Sequence, residues 1–211
     1  MQLAIKRAGW TTEWENVVFT DEAGVDNSGF QRKYVMRPKG TRLDNDYIYK
    51  APNKSLRVNY FSYVTFNGVR PIYEYDKMDS QVYCDIVDDM IAELRESFGH
   101  DNFKIVHDDA AFSNSGETVR FLDREGYSKF FIRIPPYSID MNVIENLWAS
   151  LSKRIKTHCF VHGQTKSRSL FIELIKTEWN AISLEEIRRL YRSLPERMRA
   201  IATVEGAATR Y

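Results

Sequence analysis

At 211 residues, with 43% hydrophobic and 13% aromatic side chains, the chain has enough apolar material for the core of one sizeable domain, which excludes an intrinsically disordered protein. Its apolar runs, such as 130–136 and 170–175, fall far short of the roughly 20 residues needed to span a bilayer, which excludes a membrane helix. A formal net charge of +1 hides segregation: residues 1–30 sum to −3, 31–58 to +6, 59–149 to −8 and 150–211 to +6, as suits carboxylates that hold metal flanked by surfaces that hold phosphate.

The first segment, Met1–Trp10, carries Lys6 and Arg7 but neither the apolar stretch nor the cleavage site of a secretory signal. With only Cys84 and Cys159 there is no disulfide framework, and a reducing compartment is expected. Asn16–Thr20 is a short apolar, β-branched run that ends on Asp21–Glu22, so it reads as a buried strand with acids at its end. Residues 31–57 carry eight Lys or Arg against two Asp and show no clear period. They predict a basic excursion from the sheet.

The run 55–66, closed by Asn67–Gly68 and followed by 69–75, predicts a hairpin. From Ser80 to Phe98 the apolar residues Val82, Ile86, Met90, Ile91 and Leu94 recur at helical spacing with Gly99 past the end. Asp85, Asp88 and Asp89 fall opposite that stripe and read as a solvated face. Phe103–Val106 is a second buried strand, running into His107–Asp108–Asp109. A helix over 118–124 and a strand over 129–134 follow, the latter ended by Pro135–Pro136.

Asp140 or Asn142 then caps a helix bearing Val143, Ile144, Leu147, Trp148 and Leu151, with Trp148 read as its core anchor. Helices over 165–182, 184–194 and 197–203 complete the tail. His158 and His162, spaced i, i+4 beside Cys159, read as a helix end rather than a zinc site. Strands first, then strand–helix–strand, then helices, predict a single domain over 1–211 of the α/β class, a mixed sheet flanked by helices, with a helical C-terminal tail from 165 to 211.

Asp21 and Asp108 follow strands, and Glu145 stands on the helix after the last strand. Neighbouring strands would bring the three together, since sites on open α/β sheets collect at strand ends. Clustered carboxylates repel and are stabilised by divalent cations, and hard oxygen ligands select Mg2+ or Mn2+. Two such ions are suited to in-line phosphodiester displacement.

The run from Pro135 to Trp148, with Tyr137, Ser138, Ile139 and Asp140 leading to Glu145–Asn146–Leu147–Trp148, resembles the signature around the last catalytic acid of mariner-superfamily transposases. Val18–Glu22 is similar to that family's first-acid motif, Ile105–Asp108 to its second, and Ser193–Met198 to its C-terminus. The resemblance implies an RNase H-like fold, a catalytic triad of Asp21, Asp108 and Glu145 binding two Mg2+ or Mn2+ ions, and cut-and-paste DNA transposition in the nucleus. It also implies DNA, as transposon ends and target, and a homodimer as partners, with no membrane and no small-molecule substrate.

The basic excursion would correspond to the family's clamp loop. Its Arg32, Lys33, Arg37, Lys39, Arg42 and Lys50, together with Lys153, Arg154 and Lys156, are the expected DNA contacts. Tyr34, Tyr47 and Tyr49 within it fit either base stacking or a protein clamp. The departures are Asp109 where the family carries Asn, a possible auxiliary metal ligand, Ser113 where it carries His, and Ile139 where it carries Pro. The family's helix-turn-helix DNA-recognition region, which would lie upstream of Met1, is expected to be absent. The alternative reading is a catalytically impaired or adopted module that binds DNA or dimerises.

Overall fold

A computed structural model describes Arg7, residues 9–28, 37–41, Asp44, 55–108, 110–133 and 141–203. Its spine is β1, Val17–Asp26, whose period-2 alternation sends Val17, Phe19 and Val25 to one side of the sheet and Val18 to the other. β2 (Arg57–Thr65) pairs antiparallel with β1 from Phe19↔Val64 to Asp26↔Arg57. Asp21 therefore stands inside a ten-residue strand, not at its end. Pairing with β2 prolongs β1 well beyond the apolar run that announces it.

The hairpin turns over Phe66–Asn67, one residue earlier than expected, with Gly68 already in the ladder at φ +144°. Its return strand is split into β3 (Gly68–Val69) and β4 (Tyr73–Tyr75), both paired with β2. Pro71, which has no N–H to give the ladder, lies in the gap. On the other side of β1 run β5 (Lys104–His107) and β6 (Phe131–Arg133), each parallel to its inner neighbour. The order is β3-β2-β1-β5-β6, the mixed α/β sheet expected.

Helices cover both faces. On one, α1 (Ser80–Phe98) and α2 (Gly116–Arg124) pack Tyr83, Val87, Met90, Ile91, Leu94 and Leu122 on Val18, Phe61, Tyr63 and Ile105. The Asp79 carboxylate accepts the Val82 N–H at the start of α1, and Gly99 at φ +67° ends it. Asp85, Asp88 and Asp89 are all exposed on α1, the solvated face expected, and Asp88 also accepts a 2.7 Å hydrogen bond from the Tyr127 hydroxyl.

On the opposite face α3 (Val143–His162), α4 (Arg168–Asn180) and α5 (Leu184–Thr203) bury Ile144, Leu147, Leu151, Phe171, Ile175, Trp179, Ile187 and Leu194 against Phe19, Tyr60 and Val106. Each such side chain contributes about 1.5–3 kcal/mol relative to exposure. The two tail helices expected around Pro195 are one 20-residue helix. Ile187, Tyr191, Leu194, Met198 and Ile201 form an unbroken buried stripe across the proline, and their burial outweighs the lost backbone hydrogen bond.

Candidate metal centre

The last β1–β5 pair is Phe19↔Val106, so Asp21 lies two residues past it on β1 and Asp108 two residues past it after β5. The crevice opens where the shorter β5 stops and β1 continues alone beside β2. α3 crosses this edge with Glu145 in its first turn, where the positive end of the helix dipole favours a carboxylate.

Burial first, then the negative charges of Glu145, Asp108 and Glu22, push the Asp21 carboxyl up to about 8. Burial and Asp108 raise Glu145 as well, partly offset by a hydrogen bond with Asp21. The three acids predicted from sequence thus lie within one another's electrostatic reach.

Sequence reasoning left out a fourth member. Glu22, half-buried, is raised to about 7 by burial and then by Asp108, while the Tyr75 hydroxyl donates to it at 3.4 Å. The signal was present in the acidic pair that ends the apolar run, but only strand pairing reveals that β4 brings Tyr75 to it.

Oδ2 of Asp21 is buried without a hydrogen-bonding partner, a costly state for a carboxylate oxygen that a hard cation relieves. Among the described residues, no three His, Cys, Asp or Glu side chains close into a ready cage. What is present is a set of mutually repelling oxygen donors, which fits a divalent cation in chemistry.

The surroundings of each acid are built from buried polar groups. Thr20 is 2% exposed and Asn142 3%. The Thr20 hydroxyl donates to the Val106 carbonyl at 3.1 Å, and the Asn142 amide donates to the Thr20 carbonyl at 3.2 Å. Asp140 or Asn142 was expected to cap α3: Asp140 lies outside the described residues, and Asn142 stands at the N-cap position but makes no capping bond with its side chain.

Beyond Asp108, the Asp108 carboxylate accepts the Ala110 N–H at 3.2 Å, and the buried Ser113 hydroxyl donates to the Ala110 carbonyl at 2.8 Å. Ser113, the departure noted in the sequence, anchors the loop that leaves the acid. Arg197 on α5, also buried, donates from Nη1 to the Asn146 side chain beside Glu145 at 3.0 Å.

The expected basic contacts separate into different situations. Arg32, Lys33, Arg42 and Lys50 lie outside the described residues, as does Asp109. Arg37 and Lys39 are exposed. Lys153 is exposed and lines, with Ser150, Arg154, Thr157, His158, His162 and Glu178, a cavity of about 460 Å³ along α3. Arg154 is engaged by Glu178 at 3.9 Å on α4 and Glu186 at 3.4 Å on α5. Lys156 is half-buried and adds, after the hydrogen bonds from Ser28, to the forces that outweigh burial and hold the Asp26 carboxyl below its usual value. The His158 and His162 rings lie 4.7 Å apart, while Cys159 turns into the core.

A family model described as DDE superfamily endonuclease matches residues 16–166. The chain is 25% identical over 205 residues to the transposable element Tcb1 transposase of Caenorhabditis briggsae, covering 94% of this chain and 71% of that protein. The catalytic domain of the Mos1 mariner transposase superposes with a TM-score of 0.70 at 14% identity, covering 99% of this chain and 91% of that one. The Mos1 mariner paired-end complex with Mn superposes with a TM-score of 0.76 at 14% identity, and this chain spans 61% of that chain. The fold is therefore the RNase H-like one.

Proposed function

The chain belongs to the DDE superfamily endonucleases, and from that premise we propose that it is the catalytic core of a cut-and-paste DNA transposase. The observation that carries this reading is the electrostatic cluster of Asp21, Asp108 and Glu145 where β5 ends beside the central strand β1. The Tcb1 and Mos1 likenesses support it. DNA, as transposon ends and then target, is the substrate; the protein works in the nucleus as a homodimer, with the basic segment 31–57 as its clamp.

Asp21, Asp108 and Glu145 would hold two divalent cations, Mg2+ or Mn2+, and Asp109 is an auxiliary candidate. When bound, such ions activate an attacking oxygen and stabilise the leaving one in phosphodiester displacement. The protein supplies the rest. Asp21 offers the partnerless buried oxygen, Asp108 borders the open side of the crevice, and α3 presents Glu145 from a helix fixed by Trp148 and Leu151 in the core. Arg37, Lys39 and Lys153 contact phosphates, as Arg32, Lys33, Arg42, Lys50 and Lys156 do in the same reading; Arg154 braces α3.

The test is incubation of the purified chain with supercoiled DNA and Mn2+ or Mg2+, beside Glu145→Gln. Metal-dependent nicking that disappears in the variant is the expected result. Equal inactivity of the two proteins overturns the enzyme and leaves the adopted module in its place.

A further inference from the structure

Each of the three acids stands within three residues of a member of one short buried hydrogen-bond chain. Thr20 immediately precedes Asp21 on β1. Its hydroxyl donates to the carbonyl of Val106, two residues before Asp108, at 3.1 Å. Its own carbonyl accepts from the side-chain amide of Asn142, three residues before Glu145, at 3.2 Å.

The Asn142 side chain is turned against ordinary practice. At a helix N-cap, asparagine normally spends its side-chain oxygen on the first free N–H groups of the helix. Here that oxygen is buried with no partner, and the amide N–H points instead at β1. A 3% exposed residue that leaves one polar atom unsatisfied while spending the other on a strand carbonyl is stationed for a distance, not for capping. The Asn142 carbonyl meanwhile accepts the Glu145 N–H at 3.2 Å, so the side chain and backbone of one residue relate Thr20 to Glu145.

We propose that Thr20 and Asn142 are positioning residues that set the spacing of Asp21, Asp108 and Glu145 for divalent-cation binding. Four mutually repelling carboxylates in a partly dry crevice move apart unless their carriers are tied. Both ties meet at Thr20, one through its hydroxyl and one through its backbone carbonyl, so beyond the β1–β5 pairing the spacing of the acids is set by one hydroxyl and one amide. The inference rests on the reading of these acids as metal ligands.

The experiment titrates Mn2+ into the full chain and follows both free Mn2+ by electron paramagnetic resonance and nicking of supercoiled DNA. Wild type is compared with Thr20→Val, which keeps shape and removes the hydroxyl, Thr20→Ser, which keeps the hydroxyl, Asn142→Ala and Glu145→Gln. Thermal unfolding confirms that each variant is folded. Thr20→Val and Asn142→Ala are expected to weaken Mn2+ binding about 10–100-fold, the range seen when a ligand's supporting partner is removed. Thr20→Ser is expected to stay within about twofold of wild type on the same scale.

Wild-type Mn2+ affinity in a folded Thr20→Val variant overturns this inference alone. So does a Thr20→Ser variant as impaired as Thr20→Val, because packing and not the hydroxyl would then matter. Absence of Mn2+ binding by wild type overturns the reading of the site, and this inference with it.

Discussion

Trp148 stacks on Trp179 with 4.5 Å between ring centroids and 22° between planes. Trp148 lies one turn beyond Glu145 on α3, and the Trp179 indole N–H donates to the Arg70 carbonyl at 3.0 Å. The pair thus links the helix that carries the last acid to the split hairpin at the far edge of the sheet. Trp179→Ala is expected to cost about 3–5 kcal/mol, measured by urea unfolding followed by far-UV circular dichroism. A loss under about 1 kcal/mol would mean that the stack is incidental.

The raised carboxyls predict an inverted pH dependence for the metal-free chain. Asp21, at about 8, and Glu22, at about 7, both exceed ordinary carboxyl values. The folded state therefore holds more protons than the unfolded one. Their contribution to stability is fully present below the unfolded values and is lost as pH rises through about 7 and 8. In EDTA, urea midpoints should fall between about pH 5.5 and about pH 8.5, and Asp21→Asn should raise stability at the upper pH by about 1–3 kcal/mol. Saturating Mn2+ should reverse the trend; an Asp21→Asn chain less stable than wild type in EDTA contradicts this account.

Tyr191 on α5 is fully buried, with its hydroxyl 2.8 Å from the Val17 carbonyl and 2.9 Å from the Val64 carbonyl. One proton serves two acceptors on neighbouring strands, just where the β1–β2 ladder begins. Tyr191→Phe keeps the ring packed and strands both carbonyls, at an expected cost of about 1–3 kcal/mol. Calorimetry would register this as a lowered unfolding temperature. An unchanged one would show that water or a shifted strand satisfies both groups.

Lys153 and Arg154 are adjacent cations with opposite expected phenotypes. Lys153 is exposed on the groove along α3, while Arg154 is held by Glu178 and Glu186. In anisotropy titrations with duplex DNA, Lys153→Ala should reduce the slope of log K against log salt by about 1. Arg154→Ala should leave that slope alone and cost up to about 1 kcal/mol of stability. Equal reductions in slope would make Arg154 a DNA contact after all.

Much of the fold was legible because its elements carry strong local signals. The stripe Ile86, Met90, Ile91, Leu94 with Gly99 behind it fixes α1 from sequence, and the β-branched runs ending at Asp21 and Asp108 fix the inner strands. What local pattern does not carry is pairing. β1 extends past Asp21 only because β2 accompanies it to Asp26. Pro195 reads as a helix stop until Tyr191 and Met198 are seen to bury on one face. Glu22 and Asn142 were visible as polar residues near the motifs. Their partners, Tyr75 and Thr20, lie 53 and 122 residues away in the chain, and no window of sequence shows that.

The contact of Tyr191 with Val17 joins residues 174 apart, and β1 finds its parallel partner only at Lys104–Val106. During synthesis, therefore, the strand bearing the first acid leaves the ribosome with neither its parallel neighbour nor its covering helices. It waits for most of the chain before it can be sealed. Long-range closure of this kind slows folding, and an apolar strand held open for that interval is exposed to association with other nascent chains. Closure of the helical face over the strand that bears Asp21 thus requires α5, whose Tyr191 hydroxyl reaches Val17 and Val64.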